Sequence, residues 1–216
     1  MCLSFIVIFS LTFFVSQADD SGLPQVEVIH DPSGVDVFCL FSFSRFSKSS
    51  TFTKLVPNAK RIGVARLPHH RLDFNYYSKE AKGSLSTPLP DCGYEVWGAI
   101  YHIPIQDYDL VDKVGGIVNN ERAFILVPKT IEAYIDGNTE TYVNMKCVSF
   151  EQLYLPEKLI YGLPLPENRR PSKLVLDRMV DAFIDAGLPE KYIEEISQLP
   201  IRSTDDSSSV NQSKQN

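Results

Sequence analysis

The sequence predicts an α+β fold in one domain, with a closed or nearly closed sheet laid down first and helices added last. Three observations carry this. Apolar or alternating segments of strand length fill the first two-thirds of the chain. The clearest amphipathic helix begins only after Arg170. Fourteen prolines and ten tyrosines are scattered throughout, which disfavours a long bundle or coiled coil. At 216 residues and 44% hydrophobic, the chain has the material for one core plus appendages. Its net charge is −6 and no basic run is longer than Arg169-Arg170, so a nucleic-acid partner is not expected.

Taken in order, Leu3 to Val15 is uncharged and apolar but shorter than the roughly 20 residues that span a bilayer. Ser16-Gln17-Ala18 supplies small residues before Asp19-Asp20. This predicts a signal peptide over residues 1–18, removed with Cys2, and a secreted, extracellular chain with no membrane anchor. Residues 19–34 read as a lead-in with a short strand at Val26–Ile29. Residues 35–199 form the domain. Within it, Val35–Phe46 is a buried strand, and Phe52, Leu55 and Val56 share a helical face. Arg61–Phe74 alternates as a strand, and residues 75–93, rich in Ser, Gly and Pro, read as a loop. Glu95–Ile103 is a second strong strand, with Trp97 expected in the core, and Asp107–Val114 a short helix. Arg122–Tyr134 and Thr141–Phe150 pair through a turn at Asp136-Gly137-Asn138. Lys173–Ala186 is a helix with Val175, Leu176, Met179, Val180 and Phe183 on one face, stopped by Gly187. Glu190–Gln198 is a last short helix. Residues 200–216 read as a disordered polar tail carrying a glycosylation sequon at Asn211.

Three cysteines survive signal removal: Cys39, Cys92 and Cys147. Their spacing fits no zinc pattern, and an odd number allows one disulfide and one thiol. The apolar run around Cys39 suits a buried, inert thiol; the pairing is left open. Common catalytic signatures are missing: no G-x-S-x-G, P-loop, G-x-G-x-x-G or H-E-x-x-H. His69-His70 would point to opposite faces of a strand, and Glu194-Glu195 suits a solvated helix face.

Glu95-Val96-Trp97-Gly98, Gly63-Val64-Ala65-Arg66-Leu67 and Arg71-Leu72-Asp73-Phe74 together resemble the γ-glutamylcyclotransferase family, which carries similar E-V-W-G, V-A-R-L and L-D-F segments in that order. The resemblance spans about residues 35–199. It implies a small mixed β-barrel flanked by helices. It also implies a cofactor-free reaction in which a γ-glutamyl dipeptide or amide cyclises to 5-oxoproline and releases its amine. That chemistry asks for a carboxylate to take a proton from the attacking α-amine and return one to the leaving amine. It also asks for a loop with backbone N–H groups for the oxyanion.

Neither part carries over intact. Counted from Glu95, the family's catalytic Glu falls on Gly115, followed by a matching Gly116. The family's Y-G-S-N-L loop falls on Ser42-Phe43-Ser44-Arg45-Phe46, after Phe41 at the strand end; only Ser44 is retained, and Phe43 replaces the glycine. A family tyrosine lining the substrate site falls on Val175. Asp112 and Glu121 are the nearby acids that a relocated mechanism would use, and Arg45 adds a cation suited to a carboxylate. The expectation is therefore a secreted, γ-glutamylcyclotransferase-like protein with lost or much reduced activity that binds a small γ-glutamyl molecule or a protein. The alternative is an active enzyme using Asp112 or Glu121. A homodimer is a further expectation for its partners. No metal and no organic cofactor are implied.

Overall fold

The computed structural model describes residues 26–31, 34–135, 140–153 and 165–203. The signal segment, the turn at Asp136-Gly137-Asn138 and the sequon lie outside these residues. In chain order, β1 (Ile29–His30) and β2 (Asp36–Ser42) are followed by a 3-10 turn, Arg45–Ser47, and a one-turn helix, α1 (Ser49–Phe52). β3 (Lys60–Ser78) and β4 (Gly83–Pro104) come next, then α2 (Tyr108–Gly116). β5 (Ile117–Val118) and β6 (Glu121–Arg122) make a small hairpin, and β7 (Phe124–Ile135) and β8 (Val143–Gln152) a larger one. α3 (Lys173–Ala186) and α4 (Glu190–Ser197) close the described chain. Among the described residues no helix is long and apolar enough to cross a membrane.

The main sheet runs β1-β2-β4-β3-β7-β8 and curls until β8 meets β2. That meeting is one parallel pair, Leu40 with Val148, so the sheet is curled and mixed but does not close as the expected barrel. Beside this pair a disulfide joins Cys39 to Cys147, both buried. Cys39 is thus half of a cross-link rather than an inert thiol, and the exposed Cys92 is the free one. The bond ties the two strands together at a seam where the ladder is a single pair.

Alternation along β2 divides the interior. Cys39, Phe41 and Phe43 join one core with α3 and α4; Phe38 and Leu40 join a second with Phe52, Tyr101 and Val111. On β4, Val96 is fully buried, whereas Trp97 points the other way. Trp97 is half-buried, stacks on Tyr134 at 5.5 Å and donates its Nε1–H to Glu95 at 2.7 Å. It packs against the edge of the core and shares an aromatic face with Tyr134, short of the full core placement that its apolar strand suggests; of Val96 and Trp97, Val96 is the one that faces inward. Gly98 is required by close approach: a Cβ there would lie 2.3 Å from the Ser42 carbonyl oxygen of β2.

The segment 75–93 is not a loop. β3 and β4 continue as a hairpin to Ser78 and Gly83, turning only at residues 79–82. β7 pairs with β3 only from Gly63 to Arg66, so the far half of the hairpin is a two-stranded ribbon. There Pro88 and Pro90 have an outward edge, where a missing N–H removes no ladder bond. Register shifts between Arg61 and Gly63, Pro68 and His70, and Phe74 and Tyr76 add twist, and the ribbon bends over the core.

A buried charge cluster ties this ribbon to the C-terminal helices. The Asp73 carboxylate is fully buried and accepts from the Phe74 N–H at 2.7 Å and from Arg169 Nε at 3.0 Å. It also pairs with Arg71, whose Nε reaches Asp91 at 2.9 Å. Three residues beyond Arg169, Ser172 caps α3 by accepting from Val175 N–H at 3.2 Å, and donates to the Ala81 carbonyl at 2.7 Å. Gly83 lets this contact close, since a Cβ there would lie 2.3 Å from the Ser172 nitrogen. At its far end α3 pairs Asp181 with Lys48 and Asp185 with Arg61, and stops at Gly187 in the left-handed region.

Two outcomes follow. Asp73→Ala leaves two buried guanidinium groups without their shared carboxylate and lowers stability by about 3–5 kcal/mol in chemical denaturation; a loss under 1 kcal/mol would contradict the clamp. Non-reducing peptide mapping finds Cys39 linked to Cys147. Cys147→Ser costs about 2–5 kcal/mol for a loop of this length, whereas Cys92→Ser changes stability by less than about 0.5 kcal/mol.

Candidate functional site

The α3 docking leaves a cavity of about 550 Å³ between the end of β2, the β3–β4 turn, the end of α2, the β5–β6 hairpin and α3. Phe41, Ser42, Phe43, Ser44, Arg45 and Phe46 form one wall, Gly115 another, and Val175 contributes from α3. The structure therefore brings these sequence-derived positions to one place. Asp112 and Glu121 do not line it. Asp112 is held by Arg122, with Nη1 at 2.7 and 2.6 Å from its two oxygens, and Glu121 is exposed on β6.

The β2 loop is a rigid 3-10 turn. The Ser47 hydroxyl donates to the Ser42 carbonyl at 2.7 Å, and the Tyr101 hydroxyl lies 3.0 Å from both the Phe46 and Ser47 carbonyls. Burial pushes the Tyr101 phenol well above its ordinary pKa, keeping it protonated as a donor. Ser44 accepts from the Phe46 N–H at 3.3 Å. Phe43 takes no left-handed backbone; its ring is buried beside Phe41 at 5.9 Å. At the position expected to carry a glycine turn, this loop contributes aromatic rings and a capped 3-10 turn.

Gly115 sits near the end of α2, half-buried, and faces the β8 side chain Phe150. A Cβ built on Gly115 would lie 2.2 Å from Phe150 Cζ and 2.3 Å from Cε2. The ring occupies the space a side chain at 115 would need. Phe124, Leu85, Val114 and Met179 make the rest of the interior largely apolar.

Charge collects at the rim. Arg45, Arg178 and Lys79 line it with one carboxylate, Glu80. Arg45 lies over the Phe46 ring at 4.9 Å. Partial burial lowers its pKa, Glu80 acts in the opposite sense, and the nearby Arg178 lowers it further. Among the described residues neither Arg45 nor Arg178 has an ion-pair partner within 4.0 Å. Sequence reasoning missed Glu80, Arg178 and Phe150, because only the fold places them here. It also passed over Asn119-Asn120. Both have positive φ, the turn signature of the β5–β6 hairpin. Asn119 fixes the β3–β4 turn by accepting from Lys79 N–H at 2.9 Å and donating to the Tyr77 carbonyl at 2.8 Å. Adjacent asparagines directly after the apolar pair Ile117-Val118 were a readable turn signal.

No family model matches the chain, and no curated protein matches it. Solved structures do. A structure described as a γ-glutamyl cyclotransferase superposes with a TM-score of 0.65 at 18% identity, covering 80% of this chain and 94% of that one. The human protein LOC79017 gives 0.63 at 18% identity, covering 82% and 94%. A yeast γ-glutamyl cyclotransferase specific to glutathione gives 0.51 at 9% identity, covering 74% and 94%. The curled mixed sheet, flanked by helices and nearly co-extensive with these proteins, is the γ-glutamylcyclotransferase fold.

Proposed function

We propose that the chain is a divergent, non-catalytic relative of the γ-glutamylcyclotransferases that keeps the fold's cavity as a small-molecule binding site. One observation supports this above the others: the Phe150 ring fills the space beside Gly115, where the resemblance puts the proton-transferring carboxylate. The α-amine of a γ-glutamyl substrate is an ammonium ion at neutral pH, and glycine cannot take its proton. In the β2 loop, Phe43 stands where the family's loop has its glycine, and its ring is buried. We further propose that the protein acts outside the cell. The uncharged N-terminal segment followed by small residues supports export. The Cys39–Cys147 disulfide supports it too, because such bonds persist in oxidising compartments.

A second reading rests on Glu80, the one carboxylate among the described lining residues. If it reached the cavity centre it would serve as acid and base in place of position 115. This replaces the roles expected of Asp112 and Glu121, which lie off the cavity wall.

Chromatographic assay of 5-oxoproline with γ-glutamylalanine separates the two. The purified protein is expected to release none above the uncatalysed background, and Glu80→Gln changes nothing. Robust turnover lost in Glu80→Gln would overturn the non-catalytic reading. Gly115→Glu alone is expected to lower stability by about 1–3 kcal/mol through overpacking against Phe150, with no activity gained. Paired with Phe150→Ala, the same substitution costs less than the sum of the two single changes, because the clash is gone.

A further inference from the structure

The proposed binding role leaves the ligand class open, and the cavity's charge distribution narrows it. Its interior is mainly aromatic and aliphatic, with the neutral hydroxyls of Ser42, Ser78 and Ser86, whereas its exposed rim carries three cations against one carboxylate among the described residues. A γ-glutamyl head group brings an ammonium and a carboxylate into the same few ångströms. Beside Phe41, Phe124 and Phe150 the two charges would find only neutral serine hydroxyls and no interior counter-charge, and burying unpaired charge is strongly unfavourable. The two rim guanidinium groups, in contrast, have no ion-pair partner among the described residues and flank the mouth from opposite elements, the β2 loop and α3. Arg45 is already oriented across Phe46.

We propose that the cavity binds a monoanion with an apolar body, its carboxylate held between Arg45 and Arg178 at the rim and its alkyl or aryl portion lying in the interior beside Phe150 and Met179. This inference rests on the small-molecule reading above and deepens it. The division of labour is that of many ligand sites, in which apolar walls supply affinity and a few polar groups fix orientation. A volume of about 550 Å³ takes a molecule of this kind without the chain opening. Guanidinium groups suit the head, since they form paired hydrogen bonds with a carboxylate. Glu80, near Arg45, disfavours a second negative charge, which is why one anionic group fits better than two.

The test is isothermal titration with decanoate below its micelle concentration, set against decanol, decylamine and γ-glutamylalanine. Decanoate is expected to bind at one site per chain and at least tenfold more tightly than decanol. Arg45→Gln and Arg178→Gln each weaken it about tenfold or more, the scale of one lost charge-assisted hydrogen bond, with melting unchanged because both side chains lie at the surface. Arg178→Glu with Arg45→Glu reverses the preference towards decylamine. Equal binding of decanol and decanoate, indifference to both glutamine variants, or tighter binding of γ-glutamylalanine than of decanoate would overturn the proposal. Release of 5-oxoproline is read on the same preparation, so the two readings fail separately. Turnover together with rim-dependent decanoate binding overturns only the non-catalytic reading. No turnover together with equal decanol binding overturns only this one.

Discussion

The seating of α3 on the far half of the β3–β4 hairpin is the constraint on which the site depends. Asp73 on the ribbon holds Arg169 just ahead of the helix, and Ser172 caps the helix while donating to Ala81 in the hairpin turn. Because both ends of each contact are buried, the helix cannot slide without stranding a charge or a hydroxyl. The same turn then presents Lys79 and Glu80, and the same helix presents Val175, Arg178 and Met179. The cavity is therefore a by-product of the clamp: its walls are the parts that the clamp brings together.

On the proposed non-catalytic reading, this is how a scaffold persists while its chemistry changes. Segments answering to packing stay recognisable. Gly98 admits the Ser42 carbonyl, Val96 fills the core, and Asp73 neutralises two arginines. Positions that the resemblance assigns to reaction chemistry carry side chains that suit burial instead. Phe43 packs with Phe41, and Phe150 stands against Gly115. Gly115 and Phe150 act as a pair, since a side chain at the first excludes the ring at the second.

Much of the fold was legible because its signals are local. Helix α3 was readable to the residue from Ser172, its apolar stripe and Gly187. The strand character of residues 83–93 was hidden because Pro88 and Pro90 imitate loop composition; only the two-stranded pairing shows that they sit on a free edge. Trp97 misled because burial on a strand is decided by parity, and Val96 takes the inward place. The sheet's failure to close is a matter of long-range geometry, as is the choice of Cys147 as the partner of Cys39. At the site, the β2 loop and Gly115 could be found by counting from Glu95. Glu80, Arg178 and Phe150 could not, being separated from them by 35 residues or more of chain (Arg45 to Glu80, Gly115 to Phe150) and joined only in three dimensions.

The central claim is that the cavity beside Gly115 is furnished for an apolar anion and not for proton transfer. A crystal structure grown with decanoate tests it most directly. The account predicts the Phe150 ring against Gly115, the carboxylate between the Arg45 and Arg178 guanidinium groups, and the alkyl chain within the cavity. Phe150 swung out of that space, with the Glu80 carboxylate or another acid of the chain pointing into it, would contradict the account.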